Sequence, residues 1–495
     1  MIKTIIGGAQ IIDMMFLVID IVKGIQTQTA ECLIIGEICC DKILIILNKL
    51  DLVEESKREA AIEKMSKRLL KTLENTKFAN SPIVAVAANQ QSSNTEAEKE
   101  NLDQQMSNLS VASQDKAENN NTMFNIDVLL DTLKNITYFP EKRNENGQFL
   151  FAVDHCFTIK GQGAIMTGTI LNGSVKVNDS IEIPVLKTQK KVKSIQVFRK
   201  PVEKAMQGDR CGICLTNFDS KQFERGLVCA PNYVKTSYAV IIKLNKIKHF
   251  KGTIQSGSKF HITINHETHL AKIELFGGFG DELVDKNSEF MFDFGKEYLY
   301  VNEYAPDDAK KEGDDSQASA KANKKIVNYY ALIDFTFDNT SSSEIASSGV
   351  LCVANSLLIG SKLDTDIHLN QCRIAFHGNV LHAFTNKDFR ETNQSASTNA
   401  YLSSLKIYKE KFKEGVVERK HDNYTLIGKS LFKKETNIDL FVGLKVSLST
   451  SEQGVIEGNF GQSGKFKIRI PNGLLPATNE QLDGKSKKKL ILPTC

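Results

Sequence analysis

The feature that most restricts the fold is a set of three strongly apolar runs near the start of the chain: MMFLVIDIV from residue 14, ILIILN from 43 and PIVAVAA from 82. None alternates polar with apolar residues, as expected of parallel strands covered on both faces. Between them lie two helix-compatible stretches, one from Gln28 to about Ile38 and the other ESKREAAIEKMSKRLLKTLENTKF, whose apolar positions recur at helical spacing. Strand, helix, strand, helix, strand in this order predicts right-handed crossovers and a doubly wound sheet, with its ligand at the carboxyl ends of the strands.

That texture stops near Pro140. Residues 89–123 are polar and without periodicity and are expected to be disordered. FNIDVLLDTLKNITYFP then predicts a closing helix. From residue 149 onward, FLFAVDHCFTIKGQGAIMTGTILNGSVKVNDSIEIPVLKTQKKVKSIQVF alternates polar and apolar residues between turn signals, the pattern of a small closed barrel. A second β-rich stretch runs from about Tyr233 to Phe384, with a charged insertion at about 303–326 also expected to be disordered. A third begins near Leu405. At 495 residues, one hydrophobic core is insufficient. The expected class is multidomain α/β plus β: a partial nucleotide-type domain over 1–140, barrels over 141–230 and 231–390, and a C-terminal β-rich unit over 400–495.

Composition excludes several alternatives. A hydrophobic content of 41% and a charged content of 25% are ordinary for soluble globular proteins, and no long uncharged apolar run predicts a membrane span. Gln10, Asp13 and Asp20 interrupt the apolar N-terminus, which reads as core structure. Ten scattered cysteines suggest reduced thiols of a cytoplasmic protein, and the lone CxxC of Cys211 and Cys214 has no second pair to complete a zinc site. Residues 401–495 hold 17 Lys and Arg against 10 Asp and Glu, while the rest of the chain holds 46 against 49. Such a basic end reads either as a polyanion contact or as a solvated lysine-rich surface.

The chemical signal is NKLD, residues Asn48, Lys49, Leu50 and Asp51, at the end of the second apolar run. In a GTPase this tetrad reads guanine. The Asp carboxylate accepts from the N1 and N2 donors of the base, the Lys stem packs along the ring, and adenine offers no matching donors. The backbone N–H of Ala88, after the third run, is expected to meet guanine O6. The plain alternative is a turn with Asp51 as a helix cap. A phosphate loop, GxxxxGK[ST], does not precede a helix anywhere near the N-terminus. NYTLIGKS at 423–430 and NEQLDGKS at 479–486 each carry Asn in place of the first Gly and lie in the wrong context. His266 and His269 of HETH are expected to diverge and to bind no metal.

The opening TIIGGAQIIDMMFLVIDIVKGIQTQTAECL resembles translational GTPases just past their DxPGH motif, so Met1 is expected to fall a few residues beyond it. The resemblance sharpens to the eukaryotic selenocysteine-specific elongation factor family. It is carried by VDHCFTIKGQGAIMTGTI, AMQGDRCGIC, ERGLVCAP, KFHITINHET, DIHLNQCRIAFHG, KSLFKKETNIDLFVGLKV and FGQSGKFKI, in order and over nearly the whole chain outside the two insertions. It implies a partial G domain lacking the P-loop, switch I and DxPGH, two barrels holding the tRNA acceptor end, and a fourth domain. GTP and Mg2+ are the implied cofactors. The implied partners are selenocysteinyl-tRNA, the ribosome, and the selenocysteine-insertion RNA element with its binding protein, reached through the fourth domain. Asp154, His155 and Arg210 match the family's selenocysteinyl pocket; otherwise they read as an ordinary salt bridge on a barrel rim. No residue here matches a catalytic one. The alternative functions are a nucleotide-independent RNA-binding protein and a general elongation or initiation GTPase.

Overall fold

The computed structural model describes residues 2–88, 125–140, 143–279, 292–305, 326–336, 349–364, 371–391, 401–409, 411–450, 452–461, 464–476 and 489–494. The expected insertion at 89–123 and most of that at 303–326 lie outside the described residues.

The first unit is a parallel three-stranded sheet of β1 (Met14–Asp20), β2 (Lys42–Asn48) and β3 (Ile83–Ala85), in that order. Helix α1 (Ile2–Gly8) precedes β1, and α2 (Thr27–Cys39) and α3 (Arg58–Leu73) make the crossovers. The QTQT stretch starts α2 by forming a capping box, in which the Gln26 and Thr29 side chains satisfy each other's backbone N–H groups. Strand β2 is buried on both faces, because its alternate residues enter different cores. Ile43, Ile45 and Leu47 meet α2 and α3 residues such as Leu33, Leu69 and Leu73. Leu44 and Ile46 meet the closing helix Ile126–Ile136 through Leu129 and Leu133.

Strand β1 departs from expectation. It is the edge of the sheet, and only Leu17 and Ile19 are buried; Phe16 is 47% and Val18 57% exposed. A continuous apolar run thus produced a strand covered on one face, because the closing helix packs over β2 and β3 and stops short of β1.

The second unit is a barrel. The strand Arg210–Leu215 pairs with both Gly163–Asn172 and Thr188–Val197, which closes the sheet around Phe151, Met166, Ile183, Ile195 and Ile213. The third unit closes similarly, the strand Lys259–Ile264 pairing with both Glu267–Phe279 and Leu357–Ser361. The fourth is a closed barrel whose last strand, Lys489–Thr494, pairs with Lys411–Lys420 and Lys445–Leu448. Lys406–Tyr408 adds in parallel to Glu297–Val301 of the third unit and so joins the fourth to it.

The first unit docks on the third through one continuous apolar core: Ile6, Ala9, Ile34 and Ile35 share a cluster with Val240, Ile262, Ile264 and Phe376. Beside it Arg373 donates twice to the Glu31 carboxylate, at 2.9 and 3.0 Å. Among the described residues no helix is long and apolar enough to cross a membrane.

Candidate functional site

Strand β2 delivers NKLD to the carboxyl edge of the sheet. The chain leaves the strand through Lys49 in the left-handed region, at φ 68°, and Leu50 drops back into the core at 1% exposure. Buried Leu50 anchors the loop and leaves its polar neighbours facing the strand ends. Asn48 Oδ1 accepts from the backbone N–H of Lys49 at 2.8 Å and of Ala88 at 3.2 Å, tying the loop after β3 to the loop after β2. The Ala88 N–H, expected to face guanine O6, is therefore donated to Asn48 in this structure.

Asp51 Oδ1 is buried, and among the described residues it has no hydrogen-bond partner. A buried acceptor without a donor costs about 1–3 kcal/mol, which a ligand offering N–H groups would recover. This orphaned oxygen fits the donor edge of guanine.

A further residue of the loop edge is Asp20, which the sequence presents only as a break in an apolar run. It ends β1 directly opposite Asn48. Its Oδ2 pairs with Lys49 Nζ at 2.9 Å, and its Oδ1 accepts from the backbone N–H of Val22 and Lys23. The Lys49 ammonium first, then these N–H groups, hold the Asp20 carboxyl below the ordinary carboxylate range. The contact therefore persists at neutral pH and is lost only as pH falls through that depressed value. The only sequence signal was an acidic residue at the carboxyl end of a buried strand.

Of the two near-matches to a phosphate loop, NYTLIGKS contains the strand Thr425–Lys429 of the C-terminal barrel, and among the described residues no α-helix follows it. NEQLDGKS lies outside the described residues.

In the second unit, the pairing of Leu150–Ile159 with Gly163–Asn172 slips between Val153 and His155, leaving Asp154 as an extra residue in a β-bulge. Bulges re-aim side chains, and Asp154 meets Arg210 Nη1 at 2.7 Å. Arg210 sits opposite Thr169 on the adjoining strand and donates weakly to its hydroxyl at 3.4 Å. The Asp154 side chain is 19% and that of Arg210 58% exposed, so the guanidinium opens to solvent. His155 is exposed, and among the described residues its side chain has no hydrogen bond or ion pair. The structure thus joins two of the three expected pocket residues and leaves His155 beside them.

Beside the bulge the two strands approach closely at Gly168, where a Cβ would run into the Ala152 carbonyl. Gly168→Ala is expected to cost roughly 1–3 kcal/mol, the usual penalty for overpacking. Urea unfolding of the variant would measure it, and an unchanged midpoint would mean that the strands separate easily there.

The remaining candidates form no centre. Cys211 and Cys214 are both free and buried, and burial pushes the Cys211 thiol up to about 12. His269 Nε2 bonds Glu267 at 2.8 Å, while His266 turns toward α1. Among the described residues no group of three or more His, Cys, Asp or Glu is arranged to hold a metal ion.

Comparison with known proteins covers all four units. Residues 2–139 match the elongation factor Tu GTP binding domain, 163–230 elongation factor Tu domain 2, 241–378 the third domain of the eukaryotic selenocysteine-specific elongation factor, and 403–491 the eEFSec C-terminal RIFT domain. The selenocysteine-specific elongation factor of Mus musculus is 47% identical over 497 residues, covering 99% of this chain and 78% of the mouse protein. That of Methanocaldococcus jannaschii is 31% identical over 268 residues, 53% of this chain and 50% of the archaeal one. Two crystal structures of translation elongation factor SelB from Methanococcus maripaludis share the fold at 21% identity, covering 100% of this chain and 86% of theirs. The apo form gives a TM-score of 0.63 and the complex with the GTP analogue GppNHp 0.64. With 99% of the chain matched at 47% identity to the mouse protein, the chain belongs to the selenocysteine-specific elongation factor family.

Proposed function

We propose that the protein is a selenocysteine-specific elongation factor that delivers selenocysteinyl-tRNA to the ribosome at recoded UGA codons. The observation that carries this reading is the Asp154–Arg210 pair on the bulged rim of the second unit. A selenol is largely ionised near neutral pH and a serine hydroxyl is not. A solvent-facing guanidinium held in place by a carboxylate therefore favours the selenium side chain by charge. His155, exposed beside the pair, adds positive charge when protonated. Comparing the affinity of the chain for selenocysteinyl-tRNA and seryl-tRNA on the same tRNA body tests the reading; equal affinities would reject it.

The guanine end of a GTP site is proposed at Asn48, Lys49, Asp51 and Ala88, with Asp51 reading the base, Asn48 bracing the two loops and Asp20 steadying Lys49. When bound, GTP with Mg2+ supplies the energy of an ordered, tRNA-competent state. The sequence offers no GxxxxGK[ST] motif for its phosphates, and phosphate and magnesium contacts provide much of the usual affinity. We expect weak or undetectable GTP binding and no hydrolysis by this chain; a fluorescent guanine-nucleotide titration giving tight, magnesium-dependent binding would contradict that.

A second reading is a nucleotide-independent RNA-binding protein, which equal tRNA affinity with and without GTP would support. A general elongation GTPase is disfavoured by the fourth unit. There the basic surface includes Arg419 and Lys467 over the Phe460 ring, at 5.7 and 5.8 Å. This suits contact with the selenocysteine-insertion RNA element or the protein bound to it. A cytoplasmic location follows from a ribosomal role.

A further inference from the structure

The seam between the first and third units is not filled throughout. At Glu31 it leaves a cavity of about 330 Å³, walled on one side by α2 and the end of α3 and on the other by the third unit's loop through His249 and Lys251 and the residues just before the strand Ile374–Phe384. The floor is apolar: Leu33 and Ile34 of α2, Leu73 of α3 and Phe78 line it and are buried. The mouth stays open because its residues are short. Thr27 and Ala30 lie one turn apart on α2, and Thr72 and Thr76 are similarly spaced at the end of α3.

The polar groups restrict what can enter. The Glu31 carboxylate is already held by Arg373. The Thr72 and Thr76 hydroxyls donate to the carbonyls of Arg68 and Leu73, at 2.9 and 2.8 Å, so only their acceptor capacity is left. Burial raises the Cys372 thiol above its ordinary range, which keeps it protonated and unreactive. The charged groups at the mouth are Lys251 and His249 of the third unit and Glu37 of α2, all exposed, and among the described residues none has an ion pair. Lys251 is the strongest donor there, and it stands on the wall facing away from the first unit's carboxylates.

We propose that this cavity binds a small amphipathic anion, its apolar body lying on Leu33, Ile34, Leu73 and Phe78 and its carboxylate or sulfonate turned to Lys251, and that occupation fastens the first unit to the third. Small-molecule sites span roughly 300–1,000 Å³ and favour interfaces between domains, and this cavity meets both conditions. A ligand that touches both walls binds only the docked arrangement and stabilises it by mass action.

The test uses the full chain and a matched pair of fluorescent probes, anilinonaphthalenesulfonate and its neutral counterpart phenylnaphthylamine. Wild type should bind both saturably. Ala30→Phe and Thr72→Phe, each closing the mouth from one helix, should abolish that binding for both probes. Lys251→Gln should weaken the sulfonate about three-fold and leave the neutral probe unchanged, the size expected of an exposed ion pair. Lys251 is exposed, so this variant decides the matter should the helix variants fail to fold. Amide exchange locates the probe: it should slow both along α2 and at residues 371–376, whereas binding on the open face of β1 would slow β1 alone. No saturable binding, binding untouched by the phenylalanine variants, equal weakening of both probes by Lys251→Gln, or protection confined to one unit would overturn the assignment.

Discussion

Replacing Arg210 with alanine is expected to erase the preference for selenocysteinyl-tRNA over seryl-tRNA while leaving affinity for the tRNA body nearly unchanged. A hydrogen bond to a charged group contributes roughly 1.5–3 kcal/mol. Arg210 is more than half exposed, so water screens part of that, and about a ten-fold loss of discrimination is the expected size. The variant also strips Asp154 of its partner, leaving a carboxylate that repels a selenolate, which acts in the same direction. Arg210→Lys should fall between, because it keeps the charge but not the planar fork. Competition binding with the two aminoacyl-tRNAs measures the ratio directly; a ratio unchanged in Arg210→Ala would remove the guanidinium from the selectivity argument.

The largest expected effect on stability is at the seam between the first and third units. Glu31 is buried and Arg373 largely so, with side chains 5% and 12% exposed, and each satisfies the other through two parallel hydrogen bonds. Removing one partner strands a buried charge. Glu31→Ala and Arg373→Ala should therefore each cost about 3–5 kcal/mol, whereas replacing both with methionine should cost much less. Because several units unfold in one chain, amide exchange along α2 is a better measure than a single melting temperature. Losses under about 1 kcal/mol in the single variants would show that the pair is solvated on opening and that the seam is held by Ile6, Ala9, Ile34 and Ile35 alone.

The elements of the first unit were legible because burial imposes a period on the residues that undergo it. ILIILN has no polar alternation, and β2 is the strand with cores on both sides. MMFLVIDIV has the same texture, yet β1 is open on one face. Apolar periodicity reports what a strand can bury, not what is present to cover it. NKLD could be placed at a strand end from local pattern alone. Asp20 could not be attached to it, since that contact requires β1 and β2 to lie in register.

What the sequence by itself determined was the order of strands and helices, the class of each unit and the residue types able to read a purine or a charged side chain. All of these depend on neighbours a few positions apart. Only the tertiary structure decided which distant groups meet. Barrel closure brings Arg210 to Asp154, and domain docking pairs Glu31 with Arg373 across 342 positions. Such meetings follow from how whole surfaces fit together, and no local period encodes them.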